Sequence, residues 1–179
     1  SLDMTEPLTN RFGAFVIIVL GETVTGVVTG LTTDPTRPIF LAVGLTAILV
    51  GFGSWWTYFD FAGNHRPRPG KTAALHWMLG HLPLTAAIAA MGAAMVSLVD
   101  HAHDPRTPAA TAWVLSAAAA IVLSATMLVT ASLPDWRRDR RLYRPLTYVS
   151  AAVAIACLGV GAARPAPLVL GLALVALLS

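Results

Sequence analysis

The chain has 179 residues, 56% of them hydrophobic and only 12% charged, with 12 Lys and Arg against 9 Asp and Glu for a net charge of +3. Soluble domains carry about 25% charged residues, so this composition excludes a water-soluble globular protein, and a mean hydropathy of +0.69 with a pI near 9.6 fits a membrane protein instead. The basic balance does not indicate nucleic acid, because the basic residues fall in short loops between apolar runs; the single cysteine, Cys157, lies inside such a run and rules out a disulfide framework or cysteine metal cluster.

In chain order, the apolar runs predict an all-α, polytopic transmembrane bundle of about six spans, forming a single domain over 1–179. Asp3 and Glu6 precede the first run, where a signal peptide would carry basic residues. The first helix is expected over 9–31, ending before the turn signal Thr33, Asp34, Pro35. Its apolar core, 11–30, has the length that a helix needs to cross a bilayer. The second, 38–61, starts with Pro38, where a missing N–H costs nothing. It ends in Trp55, Trp56, Tyr58 and Asp60, an aromatic group suited to the headgroup boundary. A loop with Asn64, Arg66, Pro67, Arg68, Pro69 and Gly70 follows, then a third helix over 72–99 containing His76, His81 and Pro83. The polar segment 100–108 leads to an alanine-rich fourth helix, 109–133, and a basic loop over 134–141 precedes a fifth, 142–163. Arg164, Pro165 and Pro167 break it, and the last run, 165–179, is short for a span.

With six crossings, the N-terminus and the second-to-third and fourth-to-fifth loops share one side. They hold nine basic residues: Arg11, Arg66, Arg68, Lys71, Arg137, Arg138, Arg140, Arg141 and Arg144. The other side holds three, Arg37, Arg106 and Arg164. By the positive-inside rule both termini are expected in the cytoplasm. The run Trp136, Arg137, Arg138, Asp139, Arg140, Arg141 reads as a topology anchor that meets anionic headgroups.

Three segments carry a resemblance. Arg11-Phe12-Gly13 through Val16-Ile17-Ile18-Val19-Leu20-Gly21-Glu22 resembles the hallmark of the low temperature requirement A family of bacterial membrane proteins. Trp55-Trp56-Thr57-Tyr58-Phe59-Asp60 resembles its second signature, and His81-Leu82-Pro83-Leu84 its third. The similarity covers roughly 11–95, in the family's order. The resemblance implies a bacterial inner-membrane protein linked to growth in the cold, with no agreed substrate. Family members are longer and open with an acidic, aromatic segment of the Phe-Phe-Asp-Leu type. None precedes Arg11, so the chain is expected to correspond to a C-terminal half. Its expected partners are the lipid bilayer and a missing N-terminal half or a second copy.

Glu22 stands out because a carboxylic acid in hydrocarbon costs on the order of a few kcal/mol. Such a group at membrane depth faces a bundle interior, a partner or a water-filled cavity, and often marks an ion pathway. On a helix it shares a face with Phe15, Ile18, Thr25, Gly26 and Thr29, while Gly26 and Gly30 form a small-xxx-small pair. Counting from helix starts places Glu22 and His81 at similar depth, so the two are expected to face each other, with Asp60 and His76 as a shallower polar pair. The proton or ion site candidates are therefore Glu22, His81, Thr25 and Thr29; the alternative is that these groups only lock helices together. His101 and His103, with Asp100 and Asp104, give an HxH signal without fixed geometry, and no metal or other cofactor is assigned. HExxH, GxSxG and paired catalytic aspartates are lacking, so enzymatic chemistry ranks below ion-linked transport or a structural and regulatory role.

Overall fold

The computed structural model describes residues 5–31, 37–63 and 65–179; the turn expected at Thr33, Asp34 and Pro35, and Asn64, lie outside these. Regular structure among the described residues is helical throughout: α1 (Glu6–Leu31), α2 (Pro38–Tyr58), α3 (Lys71–Asp100), α4 (Ala109–Thr130), α5 (Pro134–Arg138), α6 (Arg140–Ala163) and α7 (Pro167–Leu178). The helix starts follow local chemistry. Pro38, Pro134 and Pro167 sit in the first turns of α2, α5 and α7, where no N–H is needed. Gly70 enters α3 at φ 122, a backbone conformation that glycine adopts without a Cβ clash.

Five helices, α1, α2, α3, α4 and α6, are long and apolar enough to cross a membrane, and α7 is a shorter apolar helix. They pack as two rows. One is α1–α2–α7 and the other α3–α4–α6, with α1 and α2 against α3, and α7 against α6. The core lies where α3 meets α4 and its flanking helices, around Trp77, Leu84, Ile88, Met91, Met95, Leu98 and Leu115, all fully buried. Lipid is as apolar as these side chains, so close packing and interhelical hydrogen bonds hold such rows together. Small residues set the approach. A Cβ on Gly92 would lie 3.1 Å from Thr23 Cα, and one on Gly161 would lie 2.7 Å from the Ser116 side chain. Gly171 meets Thr46 in the same way.

Loops alternate between two ends. At the basic end, the Arg68 guanidinium donates from Nε to Ser132 O (3.2 Å) and from Nη2 to Ala131 O (3.1 Å). These contacts satisfy carbonyls just beyond α4, where positive charge is favoured. Arg66 pairs with Glu6 at 2.6 Å beside it. At the other end, Thr107 donates from N (3.0 Å) and Oγ1 (2.6 Å) to Pro165 O, and Arg164 Nε donates to Thr107 O (3.2 Å). These bonds tie the α3–α4 loop to the α6–α7 turn.

Two expectations need correction. The stretch 134–141 is not simply a loop: Pro134 nucleates the five-residue helix α5, and Trp136 packs on Tyr143 of α6 with ring centroids 5.3 Å apart. The second helix, expected over 38–61, is α-helical only to Tyr58 and then widens into a π-helical turn, Phe59–Gly63. Such turns often mark functional positions.

Candidate functional site

The buried polar cluster forms near the basic end, and each resembling segment supplies a member. Tyr58 ends α2, His81 lies about one turn beyond Trp77 on the inner face of α3, and Phe12 comes from α1. Tyr58 and Trp77 are fully buried, and His81 is 2% exposed. His81 Nδ1 lies 2.7 Å from Trp77 O, and Nε2 lies 2.9 Å from the Tyr58 hydroxyl. A carbonyl only accepts, so Nδ1 carries the proton and donates to Trp77 O. In the neutral ring Nε2 is then an acceptor, and Tyr58 O–H donates to it. Phe12 closes the cluster, with its ring 5.0 Å from His81 and 4.9 Å from Trp77. Thr85 Oγ1 donates to His81 O at 2.8 Å, a back-bond within the turns around Pro83. Trp77 Nε1 is the group left over, buried with no hydrogen-bond partner among the described residues.

Glu22 is elsewhere. The inward seam of α1 is Val16, Leu20, Thr23 and Val27, all buried, and Glu22 points out beside Thr25 and Thr29. Of the stripe predicted from spacing, Phe15, Ile18, Glu22, Thr25 and Thr29 face away from the bundle, whereas Gly26 approaches Val96 and Gly92 of α3. The expected Glu22–His81 contact is therefore not formed, and the reason is both face and register. Phe12 packs on His81, whereas Thr23 packs on Gly92. Glu22 is thus about ten residues, or roughly 15 Å at 1.5 Å per residue, further along than His81. No hydrogen bond or ion pair engages Glu22 among the described residues. The Thr25 hydroxyl donates to Gly21 O at 3.2 Å and that of Thr29 to Thr25 O at 2.9 Å.

Asp60 and His76 do not pair either. Both are exposed, and neither makes a hydrogen bond or ion pair among the described residues. His76 immediately precedes Trp77, and one helical residue is about 100° of rotation, so an inward Trp77 turns His76 outward. The two rings of the HxH segment diverge. His101 Nδ1 donates to Ser97 O at 2.8 Å, whereas His103 Nε2 accepts from Arg37 Nη1 at 3.1 Å and packs on Phe40. Sequence reasoning missed Tyr58 and Phe12 as members of the cluster. Their signal was present, since both stand in the resembling segments, but Tyr58 among Trp55, Trp56 and Asp60 reads as an interfacial aromatic. The described side chains of the basic run, Arg138 and Arg141, are exposed at the end of α5 and the start of α6.

The family model described as Bacterial low temperature requirement A protein (LtrA) matches residues 5–179, essentially the whole chain. No curated protein and no solved structure matches it.

Proposed function

The chain belongs to the bacterial low temperature requirement A family, and from that premise we propose that it is a proton- or cation-linked transport component of the bacterial inner membrane, with Glu22 as the group that takes up and releases the ion. The observation that carries this reading is the state of Glu22: an ionisable side chain midway along an apolar span, exposed, with no hydrogen bond or ion pair among the described residues. No described group of the same chain locks this carboxyl, so none within the protomer opposes exchange of a proton or a cation there. Thr25 and Thr29 lie one and two turns on, and each hydroxyl donates to backbone, at 3.2 Å to Gly21 O and 2.9 Å to Thr25 O. The nine-to-three split of basic residues between the two ends supports a cytoplasmic location for the Arg68 end and both termini. No bond-making step is assigned to any residue, so the reading is not an enzymatic one. Neither is a resident cofactor.

The decisive experiment is ion flux in proteoliposomes carrying a pH-sensitive dye. Wild type should move protons or monovalent cations under an imposed gradient, and Glu22→Gln should fold normally but lose the flux. If wild type moves nothing, or Glu22→Gln matches it, the transport reading fails. The second reading, a structural or regulatory membrane protein, is favoured by His81. Both ring nitrogens are engaged, and the bond to Tyr58 pins α2 to α3. That is what a locking group looks like, and on this reading Glu22→Gln changes little.

A further inference from the structure

The exposed residues of α1 divide into two stripes. One, Ile17, Gly21, Val24 and Val28, is apolar. The other, Phe15, Ile18, Glu22, Thr25 and Thr29, holds the polar side chains of the span and steps along the helix by alternating threes and fours. That mean step of 3.5 residues is the spacing of a seam between two parallel, left-handedly crossed helices. α6 provides a contrast. It is also turned outward, but beyond Arg144 its exposed face, with Tyr148, Val149 and Ile155, carries no carboxyl, ammonium or guanidinium group, and lipid can cover it. Lipid cannot satisfy Glu22, since hydrocarbon offers a carboxyl no hydrogen bond.

We propose that this stripe is a self-association seam, on which a second copy of the chain packs its own α1 in parallel so that two Glu22 carboxyls meet at mid-membrane. A two-fold axis along the membrane normal brings residues of equal depth together, so the partner of Glu22 is Glu22 of the other copy. A neutral carboxylic acid has one O–H donor and one carbonyl acceptor and is self-complementary. Two of them satisfy each other completely, whereas a different protein would need a donor placed at this one depth. Thr25 extends the polar contact toward the far end. Gly21 beside the seam has open space around it, which leaves room for close helix approach. Arg11 falls on the same stripe, but at the basic end, where its long side chain reaches water and the two copies need not touch.

The seam does not depend on the transport reading and is tested without any flux measurement. In a Cys157→Ser background, Ile18→Cys and Thr25→Cys in liposomes should oxidise to disulfide-linked dimers in several-fold higher yield than Ile155→Cys, which is equally exposed on α6. Single-molecule counting of labelled protein at low density should show Glu22→Leu dimerising roughly tenfold more weakly, from the loss of interhelical hydrogen bonding. Glu22→Gln, whose amide also donates and accepts, should remain dimeric. Three results each overturn the proposal: seam cysteines no more reactive than Ile155→Cys, Glu22→Leu as dimeric as wild type, or Thr25→Cys cross-linking to another polypeptide in native membranes but not to itself in liposomes.

Discussion

Replacing Tyr58 by Phe removes one oxygen and nothing else, and the structure says what that oxygen holds. The ring is fully buried, so no water can replace the hydroxyl, and His81 Nε2, 2.9 Å away, loses its donor. Leaving a buried acceptor unsatisfied costs about 1–3 kcal/mol. Because the phenyl ring stays, no cavity contributes. The pairwise part is isolated by a cycle with His81→Phe, which keeps a ring against Phe12 and Trp77 and removes both nitrogens. In that background the Tyr58 hydroxyl is itself the orphan, so deleting it should be neutral or stabilising. Couplings measured for hydrogen bonds inside membrane proteins average about 0.6 kcal/mol and reach about 1.7. With both partners buried this one should lie in the upper half of that range. Reversible unfolding by SDS in mixed micelles, followed by far-UV circular dichroism, measures all four proteins on one scale. A coupling indistinguishable from zero would refute the assignment of Tyr58 O–H as the donor to His81.

Three further outcomes are expected. Single cysteines at Arg68 and Arg138, in a Cys157→Ser background, should react with an impermeant thiol reagent only from the cytoplasmic face, and one at His103 only from outside; Arg68 and His103 reporting the same side would remove the crossing by α3. Gly161→Ala places a Cβ 2.7 Å from the Ser116 side chain and 3.1 Å from Ala112 O, so it should destabilise by about 1–3 kcal/mol, and Ser116→Gly should restore part of that loss in the same unfolding assay. Arg68→Ala should lower stability by about 1 kcal/mol through loss of its bonds to Ser132 O and Ala131 O, discounted because the side chain is partly solvated, and Arg68→Lys, without the planar fork, should recover only a fraction.

The bundle was legible because its signals are long. Runs of apolar residues bounded by Pro38, Gly70, Pro108 and Pro167 define elements on their own, and the basic residues of 66–71 and 137–144 sort the loops by side. What escaped was short or cooperative. The single turn of α5 depends on Pro134 and on Trp136 reaching Tyr143, a contact that no local pattern announces. The π-turn after Tyr58 is a backbone response to packing, and the residues 59–63 carry no composition that demands it.

The site was half legible, for a reason that can be located in two residues. Depth counted from helix starts assumes that α1 and α3 begin at the same level. They do not, because their register is set where Thr23 seats against Gly92, a close approach repeated a turn further on where Val96 meets Gly26. That contact carries Phe12 to His81 and leaves Glu22 some three turns beyond it. It also settles which way Glu22 points. Once Thr23 is the inward residue, its predecessor is rotated about 100° away from the interior. The rule that a polar stripe in a membrane helix turns inward therefore gives way to the packing of a small residue against a small residue. A stripe left outward by such packing still has to be satisfied, and hydrocarbon cannot do so. The same contact that separates Glu22 from His81 thus turns the carboxyl outward, onto the face proposed above as the seam for a second copy.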